Sequence, residues 1–382
     1  MKVLHIITGL NDGGAEAVLF RLITHDTKNQ HAVVSLTTEG KYGPALRDRG
    51  VPVVALEMPR GRLTWRGVQT LWITLRQARP DVVQTWMHHA DLLGGLVTRL
   101  AGVPVVWGIH KTNLEPGRSS RTSIAVARMC GWLSRRVPRR IVACAHAAVT
   151  VHTGLGYDAK RMVVIANGYD LGRFRPDGEA RQRLRAEWGV SDDVPLLGMV
   201  ARWDPQKDHV NLIDALALLR RRGHAFRAVL VGTGVEEHNA TLMRRIADVG
   251  LSDWVQPLGP RTDVPAVMNA LDVHVLSSSA EGFPNVLAEA MACGTPCVTT
   301  DVGDAALIVG DTGWVAPPRN PQTLADALEA ALAAWRDRSA WRVRQERCRQ
   351  HIANEFGIDT MVARYRTVWE VVRRETRRER TA

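Results

Sequence analysis

Two carboxylates, Glu281 and Glu289, lie eight positions apart in the stretch Ser278-Ser279-Ala280-Glu281-Gly282-Phe283-Pro284-Asn285-Val286-Leu287-Ala288-Glu289. On one continuous helix, eight residues would turn through about 800° and rise about 12 Å. Both acids would then face one side, too far apart to serve one small group. The Gly-Phe-Pro break prevents this. Proline favours the first helical turn, so a helix is predicted to start near Pro284. Glu281 then sits on the loop ahead of it, and Glu289 lies more than one turn inside. Between them the N–H groups of Phe283 to Val286 point outward at the positive end of the helix dipole. An acid for hydroxyls, an anion-binding helix end and a second acid for hydroxyls suit a sugar, a diphosphate and a ribose in sequence. Alanine, methionine and cysteine surround Glu289, an odd setting for a solvated acid.

Two cations stand in Val200-Ala201-Arg202-Trp203-Asp204-Pro205-Gln206-Lys207-Asp208-His209. Arg202 falls at a predicted strand end and Lys207 opens the next helical region. Arginine supplies a planar fork and lysine a point charge, so the two could grip a diphosphate without a metal. A surface pair with Asp204 or Asp208 is the plainer reading. Near the start, Gly9-Leu10-Asn11-Asp12-Gly13-Gly14-Ala15-Glu16 follows another predicted strand. Paired glycines let a backbone approach a phosphate or oxyanion closely, and the next helix offers unpaired N–H groups. A tight turn would need the same glycines.

These residues have to be held by strands and helices. Apolar runs at Val3–Ile7, Ala32–Leu36, Val53–Leu56, Val82–Thr85, Val105–Ile109 and Ile141–Cys144 alternate with helical or loop sequence, among it a helix over Glu16–Thr24. A second series runs through Leu196–Ala201, Ala228–Val231, Trp254–Leu258, Val273–Leu276 and Cys297–Thr300. Alternation of this kind predicts α/β architecture with parallel sheets. With 382 residues the chain exceeds one ordinary core, so two doubly wound domains are expected. We place them at residues 1–172 and 177–358, with a hinge within Asn167–Gly178. A basic amphipathic helix, about Thr360 to Arg378, dominates the tail 359–382. Ligands of open α/β sheets bind beyond the carboxyl ends of the strands, which is where these motifs fall.

No apolar run is long enough to span a membrane, and the first ten residues read as a strand and not a signal peptide. The five cysteines lack metal-ligand spacing; Cys293 and Cys297 read as small core residues, and a cytoplasmic location is expected. There is no Asp-x-Asp metal motif. Charge is uneven: residues 1–176 hold 24 Lys+Arg against 11 Asp+Glu, whereas 177–363 hold 19 against 25. From Pro116 to Tyr157 there are seven arginines and no acid. Arg118, Arg121, Arg128, Trp132, Arg135 and Arg139 recur at spacings of three, four or seven, which on a helix gives a basic stripe carrying a tryptophan. The loop Arg60-Gly61-Arg62-Leu63-Thr64-Trp65-Arg66 repeats that chemistry. Such surfaces suit an anionic membrane, so peripheral association with the inner face of the cytoplasmic membrane is expected, and a lipid-linked acceptor would explain it. No aromatic stacking surface or recognition motif points to nucleic acid.

Taken in order, these pieces resemble the retaining glycosyltransferases of the GT-B fold, family 4, whose Glu-x7-Glu signature the Glu281 to Glu289 stretch matches. Gly13-Gly14-Ala15-Glu16, Arg202 with Lys207, Gly259-Pro260-Arg261-Thr262-Asp263-Val264-Pro265 and Gly294-Thr295-Pro296 are similar too, and the likeness covers nearly the whole chain. It implies two Rossmann-like domains, the first for the acceptor and the second for the nucleotide sugar, with the last helix packing back on the first. It implies sugar transfer from a UDP- or GDP-sugar without cofactor or metal, to a glycan or lipid-linked glycan. Arg202 and Lys207 would hold the diphosphate, and Glu289 the ribose hydroxyls. Glu281 would touch the transferred sugar, lined by Phe283, Pro284, Asn285, Val286 and Leu287. The backbone near Arg261 would meet the base, and Gly13 and Gly14 the donor phosphate. His110, in Trp107-Gly108-Ile109-His110-Lys111, matches the family histidine near the reacting carbon. Ala145 stands where many relatives have serine, and Ala166 replaces the usual proline before Asn167. A nucleotide-sugar epimerase of the same architecture is the alternative.

Overall fold

The computed structural model describes residues 1–59, 61–110 and 120–381. The chain divides into two compact units. The first joins Met1–Gly168 to the C-terminal segment from Ile358; the second is Tyr169–Gly357. The division at 168/169 falls inside the predicted hinge, a few residues before the boundary read from sequence.

The first unit holds β1 (Lys2–Ile7), β2 (Gln30–Ser35), β3 (Val53–Ala55), β4 (Val82–Trp86), β5 (Val105–Ile109), β6 (Arg140–Ala143) and β7 (Met162–Val164). They form one parallel sheet in the order β3-β2-β1-β4-β5-β6-β7. The second holds β8 (Leu196–Val200), β9 (Arg227–Val231), β10 (Val255–Gly259), β11 (Val273–Leu276), β12 (Cys297–Thr300) and β13 (Trp314–Ala316). Its order is β10-β9-β8-β11-β12-β13, again parallel throughout. Every residue of β4, β5, β11 and β12 is buried. Helices covering both faces explain why these strands read as unbroken apolar runs without alternation.

In each sheet the strand order reverses once, between β1 and β4 and between β8 and β11. A crevice opens at the carboxyl ends of the strands at such a point. The Gly9–Gly14 loop leaves β1, and the Arg202–Lys207 loop leaves β8. The Glu281 loop leaves β11. Gly13, Gly14, Arg202, Lys207 and Glu281 therefore stand at the switch points, whereas His110 follows β5 and Arg261 follows β10, away from them.

The last helix, Ile358–Thr381, belongs to the first unit. Ile358, Met361, Tyr365, Val368, Trp369 and Val372 recur at helical spacing and are buried in the core with Val3, Val82 and Trp86. Trp369 Nε1 donates to Gln84 Oε1 at 3.1 Å. The helix thus packs back on the N-terminal sheet, as expected from the sequence.

Candidate functional site

In the second unit, hydrogen bonds stitch the loops after β8 and β11 together. Ser277 Oγ donates to the carbonyls of Lys207 and Asp208, both at 3.0 Å, and Ser279 N donates to Gln206 O at 2.7 Å. Thr300 Oγ1 holds Ser278 O from the far side at 2.6 Å. A Cβ at Gly303, where φ is +56°, would lie 2.3 Å from Gly282 O, so only glycine lets that turn close against the Glu281 loop.

This frame presents one acid with two donors. Lys207 Nζ lies 2.6 Å from Glu281 Oε1, and Ser278 Oγ donates to the same oxygen at 2.7 Å. The side chains of Lys207 and Glu281 keep 20% and 13% of their surface, so the pair is accessible yet largely shielded. Arg202, at the end of β8, is far more open, and its guanidinium meets Asp204 Oδ2 at 3.0 and 3.2 Å. The plainer surface pairing is therefore present, on a side chain with room to turn outward.

The helix after Glu281 spans Asn285–Ala292 and begins one residue past Pro284, with no side chain capping it. Glu281 does lie on the loop and Glu289 does lie inside the helix, where it is half-buried. Asn285 is half-buried, its Oδ1 accepting from Tyr169 Oη, and Val286 is likewise half-buried. Phe283 and Pro284 are buried, the Phe283 ring packing on Phe356. The side chain of Leu287 is wholly buried, so this residue has only backbone to offer a ligand. Arg261 is gripped by Asp263 at 2.8 Å through two bonds and by Glu187 at 2.9 Å. Its guanidinium is committed within the protein, which leaves the backbone for a base.

In the first unit, Gly13 caps the helix Gly14–His25 without a side-chain bond. A Cβ at Gly14 would meet nothing within 4 Å, whereas one at Gly13 would meet Glu16 Oε2 at 2.3 Å. Glu16 thus folds its own carboxylate over the helix start, and burial there raises its pKa. His110 follows β5, with its ring stacked on Trp86 at 4.8 Å. Its Nε2 is buried and has no hydrogen-bond partner among the described residues. Burial pulls its pKa down to about 4, so the ring is neutral at physiological pH.

Sequence reading missed what holds Trp86. Its Nε1 donates to His5 Nδ1 at 3.2 Å, and His5 Nε2 lies 3.0 Å from His31 Nδ1. His31 Nε2 lies 3.2 Å from Asp26 Oδ2, which Arg366 joins. An indole only donates, so His5 must carry its proton on Nε2, which places that of His31 on Nε2, facing Asp26. These residues come from five separate places in the chain, and no local spacing announces them. Ser278 was also missed, although the run Ser277-Ser278-Ser279 just after β11 was a visible signal.

The basic stripe is shorter than its spacing suggested. The helix spans Arg121–Leu133, so Arg135 and Arg139 lie beyond its end, and Arg118 is outside the described residues. Arg139 is bonded to Glu379, which removes it from any common face. Arg121, Arg128 and Arg135 are exposed, as is Trp132 at 68%, with the Arg136 guanidinium 5.8 Å from the centre of its ring. Leu63, Trp65 and Trp72 are exposed nearby in sequence to Arg62, Arg66 and Arg76. No helix of the described residues is long and apolar enough to cross a membrane, and no group of three or more His, Cys, Asp or Glu among them is placed to hold a metal ion.

Residues 12–173 match the family model for Glycosyltransferase Family 4, and residues 194–334 match that for Glycosyl transferases group 1. EpsF of Bacillus subtilis (strain 168), named as a glycosyltransferase, is 30% identical over 78% of this chain and 79% of its own length. The chain belongs to the family 4 glycosyltransferases. It is a transferase of the glycosyl class, with the GT-B architecture of two Rossmann-like units. A second member of the family is 26% identical over 76% of this chain and 75% of its own: the UDP-Gal:alpha-D-GlcNAc-diphosphoundecaprenol alpha-1,3-galactosyltransferase of Escherichia coli. Among solved structures, Anabaena Alr3699/HepE in complex with UDP is 25% identical, with a TM-score of 0.84 over 97% of this chain and all of that one. The same protein in complex with UDP-glucose gives 0.79. The epimerase alternative gains no support from these likenesses.

Proposed function

We propose that this glycosyltransferase is retaining and metal-independent, and moves a sugar from a UDP- or GDP-sugar to a glycan or lipid-linked glycan in surface polysaccharide synthesis. The observation that carries the reading is Glu281 Oε1 held between Lys207 Nζ and Ser278 Oγ, at the switch point of the second unit. The uncapped start of the helix Asn285–Ala292 follows directly. Lys207 and Arg202 hold the diphosphate, and the helix end adds N–H groups. Glu281 receives sugar hydroxyls, and Glu289 the ribose. The likeness to HepE, solved with UDP and UDP-glucose, favours a uridine donor.

In the reaction, the bond between anomeric carbon and phosphate oxygen breaks. A new bond forms from an acceptor hydroxyl to that carbon on the same face. The hydroxyl proton passes to the departing phosphate oxygen. The main task is to hold charge developing on the diphosphate, which Arg202, Lys207 and the helix end perform without a metal. In this reading His110 acts as a neutral hydrogen-bonding group, and the Gly13-Gly14 loop offers backbone N–H groups to an anion.

The galactosyltransferase relative is named for a diphosphoundecaprenol substrate, which supports a lipid-borne acceptor here. Exposed Trp132 with Arg121, Arg128 and Arg135 gives the first unit a face suited to anionic headgroups. Anomeric configuration of the product, read by NMR against that of the donor, decides the stereochemistry. The same configuration is expected, and an inverted product would end the retaining assignment.

A further inference from the structure

We propose that Asp26, His31 and His5 are positioning residues for His110, acting through the indole of Trp86. The inference rests on the reading of His110 given above and extends it to residues that touch no substrate. All of them belong to the first unit. Sheet register places them together. His31 of β2 pairs with Val3 of β1, and Gln84 of β4 pairs with His5. Side chains two apart share a face, so His31, His5, Gln84 and Trp86 lie on one face across adjacent strands. Val3, Val33 and Val82 share that face and belong to the apolar core that the C-terminal helix completes. Aliphatic residues in place of His5 and His31 would bury no ring nitrogens. The chain instead keeps two imidazoles there, linked end to end.

The line starts at Asp26, which ends the helix Gly14–His25 and is buried. Burial alone would raise its pKa, but bonds from His31, Arg366 and Asn29 outweigh that and hold it below the usual carboxylate range. The charge therefore stays, and a charged acceptor sets the direction of every bond that follows. His31 presents Nε2–H to Asp26, and His5 presents Nε2–H to His31. Nδ1 of His5 is then left to accept from Trp86 Nε1, which holds the indole by its one polar atom. The His110 ring stacks on that indole at 4.8 Å, with 20° between the planes. Nε2 of His110 has no hydrogen-bond partner among the described residues, so among them the stack on Trp86 sets the plane of the ring. One turn of the C-terminal helix ties both ends of the line. Tyr365 stacks on Trp86 at 5.8 Å, and Nε of Arg366, the next residue, donates to Asp26 Oδ1 at 2.8 Å.

The experiment uses the full chain. His5→Leu breaks the line without leaving a buried charge, and Asp26→Ala removes its origin. His5→Gln keeps it, since the amide oxygen accepts from Trp86 and the amide nitrogen donates to His31. The first readout is the proton–carbon NMR spectrum of the histidine rings, with His110 assigned by its absence in His110→Ala. Its signals are expected upfield, because the ring lies over the indole. They should move downfield in His5→Leu and Asp26→Ala and return in His5→Gln. The second is nucleoside diphosphate release from UDP- and GDP-sugars with a bacterial lipid extract. His5→Leu and Asp26→Ala should lose at least about tenfold in kcat with donor KM within about twofold, whereas His5→Gln should stay within about threefold of the unmodified chain. Added to His110→Ala, His5→Leu should cause no further loss. If Asp26→Ala does not fold, the two His5 variants decide alone. Unmoved His110 signals, a His5→Gln variant no better than His5→Leu, or losses that add to that of His110→Ala would overturn the proposal and leave the His110 reading standing. Full transfer in His110→Ala would overturn both.

Discussion

Glu281 and Lys207 are where the account is most exposed to a single substitution. Each neutralises the other, and Ser278 fixes the acid from a second direction, so removing either leaves a largely shielded charge unmatched. Lys207→Ala and Glu281→Ala are expected to lower transfer by about 10²–10³-fold, the scale of removing one group that stabilises developing charge. Circular dichroism should show both variants folded, and full activity in either would refute its assigned role. His110 makes a different prediction. Its ring is already neutral because burial pulls its pKa to about 4. The pH profile of kcat/KM should therefore lack a His110 inflection near the ordinary imidazole value of about 6.5. An inflection there that disappears in His110→Ala would show an imidazolium at work and contradict the neutral assignment.

At the scale of elements, the strands were legible because buried parallel strands read as apolar runs with turn residues between them. β5, β11 and β12 fall on the predicted residues, and the others differ by one or two at their ends. The two strands sequence reading missed, β7 and β13, are three-residue edge strands whose middle residue is exposed, so neither presents a buried apolar run. The Gly-Phe-Pro break located the helix at Asn285 because proline chemistry is local. The pairing of Lys207 with Glu281, 74 positions apart, was not legible, since it depends on β8 and β11 lying side by side. Nor was the Trp86–His5–His31–Asp26 chain. Turn geometry at this scale yields a test. Gly303→Ala places a Cβ 2.3 Å from Gly282 O in a backbone region unfavourable to side chains. It is expected to cost on the order of 1–3 kcal/mol of stability. It should also lower transfer by more than about tenfold, since displacements of about 1 Å near reacting groups are that costly. Urea unfolding alongside a donor-release assay reads both, and wild-type values would show that the Glu281 loop does not depend on this turn.

For the molecule as a whole, charge is divided between a basic N-terminal half and a mildly acidic C-terminal half, which the proposed function assigns to an anionic acceptor and to the donor. The C-terminal helix is part of the first core and not an appendage. Trp369→Ala, at a fully buried position, should destabilise the protein by about 3–5 kcal/mol, visible in the urea midpoint. A change within error would mean that the helix is only loosely docked. Acid sensitivity is also a whole-molecule property. Burial holds His110, His152 and His209 at about 4 and His274 at about 3, and it lowers His5 well below the ordinary imidazole value. The folded state keeps these rings neutral, whereas the unfolded chain takes up protons below about 6.5. Their contribution to stability is therefore complete above that value and is lost as pH falls toward about 4. Thermal melts should drop steeply across this window, and a flat melting temperature would contradict the burial of these rings.

Nucleoside diphosphate release is the most direct measurement of the central claim. It would be followed with EDTA present, across UDP- and GDP-sugars, with and without a bacterial lipid extract, for the unmodified chain and Lys207→Ala. Release is expected from one donor, dependent on the extract, unaffected by EDTA and lost in Lys207→Ala. Release that EDTA abolishes and added metal restores, or that Lys207→Ala retains in full, would contradict the claim.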